Sequence, residues 1–292
     1  MKSTLHRARR DLLATALCAI LSAAPLVVLA QAPAPAAGFV PSVGQEGKDV
    51  IWVPTPPELV ERMLKLAQVT NKDYVVDLGA GDGRIAIAAA RSFGARALGI
   101  EYNPEMVVLS NQNAQQAGVA AKAKFIQGDI FEKDFSDATV VTMYLLTALN
   151  MRLRPKLLEM KPGTRLVAHQ FAMGDWMPDE TSYAEGRPAH LWIVPAKAGG
   201  SWKLRIPAGA NTREFTVQVD QTFQKFTGSA NFGKVNTTLR YTRLQGDAIR
   251  FTLTDLNGKL REFSGRIRGD TMSGEIRGSG GERLRWQAAR AG

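Results

Sequence analysis

Asp77-Leu78-Gly79-Ala80-Gly81-Asp82-Gly83 decides the reading of this chain. The apolar run Tyr74–Leu78 reads as a short strand leading into it, and Arg84–Ser92 as a helix leading out. Glycines at 79, 81 and 83 let the backbone turn tightly and approach a ligand closely. A dinucleotide fingerprint needs a third glycine where Arg84 stands, and a Walker A loop needs Gly-Lys-Ser/Thr, which is absent. Asp77, at the strand end, repels a pyrophosphate and suits a cationic group such as an ammonium or a sulfonium. The loop therefore points to an amino-acid-bearing nucleoside.

Outward from the loop, strand and helix signals alternate. Thr55-Pro56-Pro57-Glu58 opens a helix, with Thr55 as its expected cap and an apolar face of Leu59, Val60, Met63 and Leu64. Strands are expected at Ala95–Glu101, Lys124–Gln127, Thr139–Leu145, Arg165–Phe171 and Leu191–Pro195. Helices are expected after Asn103-Pro104-Glu105 and around Leu146–Met160. Such alternation predicts an α/β, doubly wound Rossmann-like sheet over residues 50–196, with ligands beyond the C-terminal strand ends.

The pattern changes near Gly199. Short alternating segments at Trp202–Ile206, Glu214–Val219, Thr222–Phe226, Thr238–Leu244, Ala248–Leu253, Leu260–Ile267, Thr271–Ile276 and Arg283–Gln287 predict a small antiparallel β domain over 200–292. Asn257-Gly258 marks one of its hairpins.

Two further acids end successive strands. Glu101 is placed to accept both hydroxyls of a ribose. Asp129, in Gly128-Asp129-Ile130-Phe131, is placed to accept an adenine amino group beside an apolar wall. Together with the loop, these residues resemble motifs I, post-I and II of the class I S-adenosylmethionine-dependent methyltransferases. Val53-Pro54-Thr55-Pro56, Gly81-Asp82-Gly83-Arg84-Ile85, Glu101-Tyr102-Asn103-Pro104 and Arg165-Leu166-Val167-Ala168 are similar to the protein-lysine methyltransferases that modify the mitochondrial ATP synthase c-subunit, and to their bacterial relatives. The resemblance covers about residues 50–180. It implies an S-adenosylmethionine cofactor, with Gly79 and Gly81 passing under its methionine part and Glu101 holding its ribose. It also implies cofactor contacts from Thr55, Ala80, Tyr102 and Ile130.

Methyl transfer is an in-line displacement on a sulfonium, so positioning of the reactants carries much of the catalysis. The Asn/Asp-Pro-Pro-Tyr signature of nucleic-acid amino methylation is replaced by Met143-Tyr144-Leu145-Leu146. Tyr144 is the catalytic candidate, as a group that shapes or hydrogen-bonds the acceptor. His169 reads as a buried, satisfied histidine, and Trp176 either lines the acceptor entrance or covers the sheet end. The expected acceptor is a protein lysine or a small molecule. An exported binding protein that keeps the fold without turnover is the alternative.

Three histidines and one cysteine, Cys18, predict no metal site. The net charge of +10 is uneven, with sixteen Lys and Arg against eight Asp and Glu after residue 199. That basic domain reads as a contact surface for anionic partners, or as a solvated face whose cations protect strand edges. Lys2, Arg7, Arg9 and Arg10 precede the uncharged run Leu12–Ala30, which predicts a signal peptide over 1–30, or an uncleaved membrane anchor. The chain is then exported to the periplasm or held at the membrane, with residues 31–49 as a Pro/Ala/Gly-rich linker.

Overall fold

A computed structural model describes residues 39–209, 211–278 and 280–291. The expected signal segment and the first part of the linker lie outside the described residues.

The first sheet is built from β1 (Tyr74–Leu78), β2 (Arg96–Glu101), β3 (Ala123–Gln127), β4 (Val140–Met143), β5 (Arg165–His169), β6 (Glu180–Ala184) and β7 (Arg187–Ile193). Its order is β3-β2-β1-β4-β5-β7-β6. β1 to β5 are parallel, while β6 and β7 form an antiparallel hairpin on the far edge. The order reverses between β1 and its two neighbours, β2 and β4, and a crevice opens at such a switch point. Both faces are covered because alternate strand residues are apolar on both sides. Val75 faces α1 (Pro57–Leu66), α2 (Arg84–Phe93) and α3 (Pro104–Gln116), whereas Val76 and Leu78 face α4 (Thr147–Leu158). Leu59, Met63, Ile85, Ala86 and Ala89 fill the first layer; Leu153, Leu157, Trp176 and Trp192 fill the second.

Helix starts follow local chemistry. Asn103 caps α3, its side-chain oxygen accepting from Glu105 N at 2.8 Å and Met106 N at 3.4 Å. The expected cap at Thr55 does not form: Pro56 holds the cap position and α1 has no side-chain cap. Thr55 is buried and turned inward instead. The edge hairpin has one strand that the sequence reading lacks, β6. Its Glu-Thr-Ser-Tyr-Ala has no apolar alternation, and only pairing with β7 makes it a strand.

The second sheet comprises β8 (Gly200–Ala208), β9 (Asn211–Thr222), β10 (Lys225–Asn231), β11 (Asn236–Thr238), β12 (Arg240–Gln245), β13 (Ala248–Thr254), β14 (Leu260–Arg268), β15 (Thr271–Gly278) and β16 (Arg283–Arg290). Neighbours pair antiparallel, and β16 returns to pair with β8. The two ends of the order, β11 and β12, are halves of one run broken at Leu239. β11 pairs with β10 and β12 with β13, so this run joins the edges and the sheet is a closed barrel of eight staves. Leu239 N donates to Gly228 O at 2.9 Å and Thr242 Oγ1 to Phe226 O at 2.7 Å along the seam. The expected strand Thr222–Phe226 is instead a hairpin turn, with Phe223 at φ +53°. Asn257-Gly258 does lie in a hairpin, within a five-residue connection from Asp255 to Lys259.

The barrel rests on the first sheet. Phe223 stacks on Trp176 with ring centroids 5.7 Å apart, Ala196 N donates to Gly246 O at 2.8 Å, and Gln224 Nε2 donates to Met177 O at 2.7 Å. Gln221 ties the connecting segment, its Oε1 accepting from Ala198 N and Gly199 N while its Nε2 donates to Ala196 O.

Candidate active site

The crevice at the C-terminal ends of β1, β2 and β4 is a cleft open to solvent. Thr55, Asp77, Gly79, Ala80, Gly81, Glu101, Tyr102, Asp129, Ile130 and Tyr144, expected from the sequence, all line it.

The loop after β1 turns on glycines at φ +75° (Gly79), +55° (Gly81) and +85° (Gly83). The amides of Gly79 and Ala80 are tied to Ile100 O at 2.9 and 3.1 Å. A Cβ at Gly81 would stand 2.5 Å from the Trp52 indole nitrogen, so only glycine lets loop and indole meet. The loop also fixes Glu101: Gly81 N donates to one carboxylate oxygen at 2.8 Å and Asn103 N to the other at 2.9 Å. Each oxygen keeps a lone pair, so the carboxylate is aimed before any ligand arrives.

Asp77 is 2% exposed and accepts one hydrogen bond, from Thr142 Oγ1 at 2.7 Å. Burial, and then the nearby charges of Glu101 and Asp82, push its pKa up to about 7. A buried carboxylate with one neutral partner is a site for a cation. Asp129 is held differently: Phe131 N donates to it at 2.9 Å and Lys48 Nζ pairs with it, which lowers its pKa. Asp82 pairs with Arg84, whose guanidinium donates to Thr55 O at 2.9 Å and fastens the segment before α1 to the loop.

Residues 44–54 form a strap over the cleft, so residues 45–49, expected as linker, line it together with residues 50–54. Gly44 N and Trp52 N bond to Trp52 O and Gln45 O at 2.9 Å each, and Lys48 lies 4.9 Å from the Tyr102 ring centre. Only the bulky Trp52 in a Gly- and Pro-rich stretch hints at this, because no periodicity marks it.

At the β4 end, Tyr144 is half-buried and stacks on His169, with ring centroids 3.7 Å apart. His169 is 2% exposed and its Nδ1 is 3.1 Å from Thr55 Oγ1. Burial, with Arg187 nearby, depresses its pKa to about 4, so it is neutral at physiological pH. Trp176 does not line the cleft. It is fully buried between Trp192 and Phe223 and covers the sheet end. Among the described residues, no cluster of His, Cys, Asp or Glu suits a metal ion.

The donor set fits S-adenosylmethionine. A cation-seeking carboxylate, a close-approach glycine loop, a fixed carboxylate and a third acid beside Ile130 line one cleft, at the ends of the successive neighbours β1, β2 and β3. Sequence comparisons give the family. Residues 77–180 match the family model described as the ANTKMT methyltransferase domain. A protein-lysine N-methyltransferase of Saccharolobus islandicus is 48% identical over 151 residues, half of this chain and 94% of that protein. The mouse lysine N-methyltransferase of the ATP synthase c-subunit is 36% identical over 132 residues, and the chain spans about half of it, 53%, through 45% of its own length. A solved structure described as an RNA methyltransferase from Salinibacter ruber, in complex with S-adenosyl-L-homocysteine, is 52% identical, with a TM-score of 0.49 over 50% of this chain and 95% of that one. The chain belongs to the S-adenosylmethionine-dependent protein-lysine methyltransferase family.

Proposed function

We propose that this enzyme methylates the side-chain amine of a protein lysine. The observation that carries the reading is the acceptor end of the cleft, where Tyr144 stacks on a histidine that burial keeps neutral. An uncharged aromatic wall favours the neutral form of an amine entering beside it, because desolvation lowers an ammonium's pKa. The names of the relatives from Saccharolobus islandicus and mouse support the same acceptor class.

Bound in the cleft, S-adenosylmethionine supplies an electrophilic methyl group. Asp77 takes up the amino-acid ammonium, exchanging its proton for a buried ion pair. Gly79, Ala80 and Gly81 offer their backbone to the methionine part. Glu101 accepts from the ribose hydroxyls with the lone pairs that Gly81 and Asn103 leave free. Asp129 and Ile130 meet the adenine, with Tyr102 beside them, so Lys48 has to release Asp129 for the cofactor to seat. Thr55 holds His169, and His169 holds the Tyr144 ring, whose hydroxyl orients the acceptor amine. We further propose export of the chain, supported by the positive start and the apolar run over 12–30.

Transfer of a tritiated methyl group to fractionated cell extract tests the acceptor. Label in protein that appears as methyl-lysine after acid hydrolysis is expected. Label confined to RNA or to small molecules overturns the acceptor class. Cofactor binding without any label overturns turnover itself.

A further inference from the structure

The barrel has two unlike ends. One end, formed by the turns at Phe223-Gln224 and Gly246-Asp247, sits on the first sheet through the contacts of Phe223, Gln224 and Gly246. The opposite end opens away from those contacts into a cavity of about 160 Å³. An eight-stranded barrel is wide enough either to be filled by its own side chains or to hold one small ligand. Here both happen, one above the other.

The lower interior is filled. Phe251 and Phe263 stack at 4.9 Å, and Trp286 packs edge-on against both at 6.0 and 5.8 Å. Trp286 fits because Gly265 faces it; a Cβ there would stand 2.7 Å from the indole. The Trp286 N–H is satisfied by Ser264 O at 3.1 Å. Above this aromatic floor the inward positions are Phe215, Phe232, Leu253, Ile276, Leu284 and Ile206. All six are apolar, and they come from β8, β9, β13, β15, β16 and the residue after β10.

The polar rim narrows the chemistry. Arg261 points into the mouth, but its guanidinium is already engaged: Nε donates to Asp255 Oδ2 at 2.9 Å and Nη1 pairs with Glu282. Asp255 is saturated in turn, since Oδ1 accepts from Asn257 N at 2.9 Å and Lys259 N at 3.0 Å. These bonds strut the hairpin and the mouth. They neutralise Arg261, whereas Arg213, the other cation of the lining, makes no ion pair among the described residues.

We propose that the open half of the barrel is a binding site for a largely apolar small molecule carrying an aromatic ring or a hydrocarbon chain. An apolar cavity of this volume admits one aromatic ring, and apolar walls with few polar groups are the usual lining of small-molecule sites. The site is separate from the methyl-transfer cleft and does not depend on the acceptor assigned above.

The test uses the full chain saturated with S-adenosylhomocysteine, which blocks the cleft, and the neutral fluorophore N-phenyl-1-naphthylamine. Saturable, single-site enhancement is expected, displaced by dodecanol. Ile206→Trp and Leu284→Trp, both at half-buried wall positions, should each weaken probe binding by roughly tenfold or more while S-adenosylhomocysteine affinity stays unchanged. Enhancement that never saturates, or that ignores both substitutions despite intact S-adenosylhomocysteine binding, overturns the site.

Discussion

Replacing Asp77 by asparagine separates what this residue costs the empty protein from what it gives the bound one. In the empty protein Asp77 is buried, with Thr142 as its one hydrogen-bond partner, and its pKa stands near 7 against an ordinary 3.8. That displacement of about three units means that ionising it at pH 8 costs the fold about 4 kcal/mol. The folded pKa is raised, so the proton stabilises the fold fully below pH 4, and this contribution is lost as pH rises through 7. Asparagine keeps an oxygen for Thr142 and carries no charge, but its amide N–H groups lack a partner, which costs back roughly 1–3 kcal/mol. The empty variant should therefore be more stable than the parent at pH 8 by about 1–3 kcal/mol, a rise of roughly 2–10 °C in melting temperature for a body of this size. At pH 5 the parent is already protonated and the advantage should disappear. Cofactor binding reverses the order, because losing one partner of a buried ion pair costs about 3–5 kcal/mol, a fall in affinity of a hundredfold or more. Scanning fluorimetry at pH 5 and pH 8, with and without S-adenosylhomocysteine, reads both effects. A variant that melts below the parent at pH 8, or that binds the cofactor product as tightly as the parent, would refute the role assigned to Asp77.

Other perturbations follow from the same geometry. Glu101→Ala leaves the amides of Gly81 and Asn103 without their acceptor, so calorimetry should show cofactor affinity lost by roughly a hundredfold or more; Glu101→Gln should lose less. The depressed pKa of His169 makes the fold lose stability as pH falls from about 6.5 toward 4, and His169→Phe should flatten that part of the melting profile. Gly265→Ala drives a methyl into Ser273 O and to 2.7 Å from Trp286; equilibrium unfolding should show about 2 kcal/mol or more lost, with a shifted Trp286 emission. N-terminal sequencing of the mature chain should begin at Gln31, and an intact Met1 would count against cleavage.

The central part of the first sheet was legible because its signals are local. Tyr74–Leu78, the glycine loop and the apolar face of α2 lie within twenty residues, and the acids at the strand ends announce a ligand chemistry that phosphate loops do not share. The strap was not legible. Lys48 and Trp52 reach the cleft through tertiary contacts from a stretch with no period to read. Thr55 fits a cap motif by sequence, yet the pull of buried His169 turns it inward. Phe223 misled in the same way. Thr222, Phe223 and Phe226 suggest a strand, but packing against Trp176 draws Phe223 into the turn at a positive φ. Barrel closure also has no local signature, since Trp202 and Arg290 pair across nearly the whole domain.

That last pairing sets the order in which the molecule can be completed. β16 follows the other strands of the barrel in the chain, and until Arg290 leaves the ribosome the barrel has an open seam along β8 and β15. The first sheet, by contrast, has all its strands once Ile193 has emerged. Synthesis thus delivers a finished catalytic layer before its neighbour can shut, and the slow, long-range closure of the barrel comes after it. A chain truncated within β16 keeps every residue of the cleft but leaves two unpaired strands beside it, a template for aggregation.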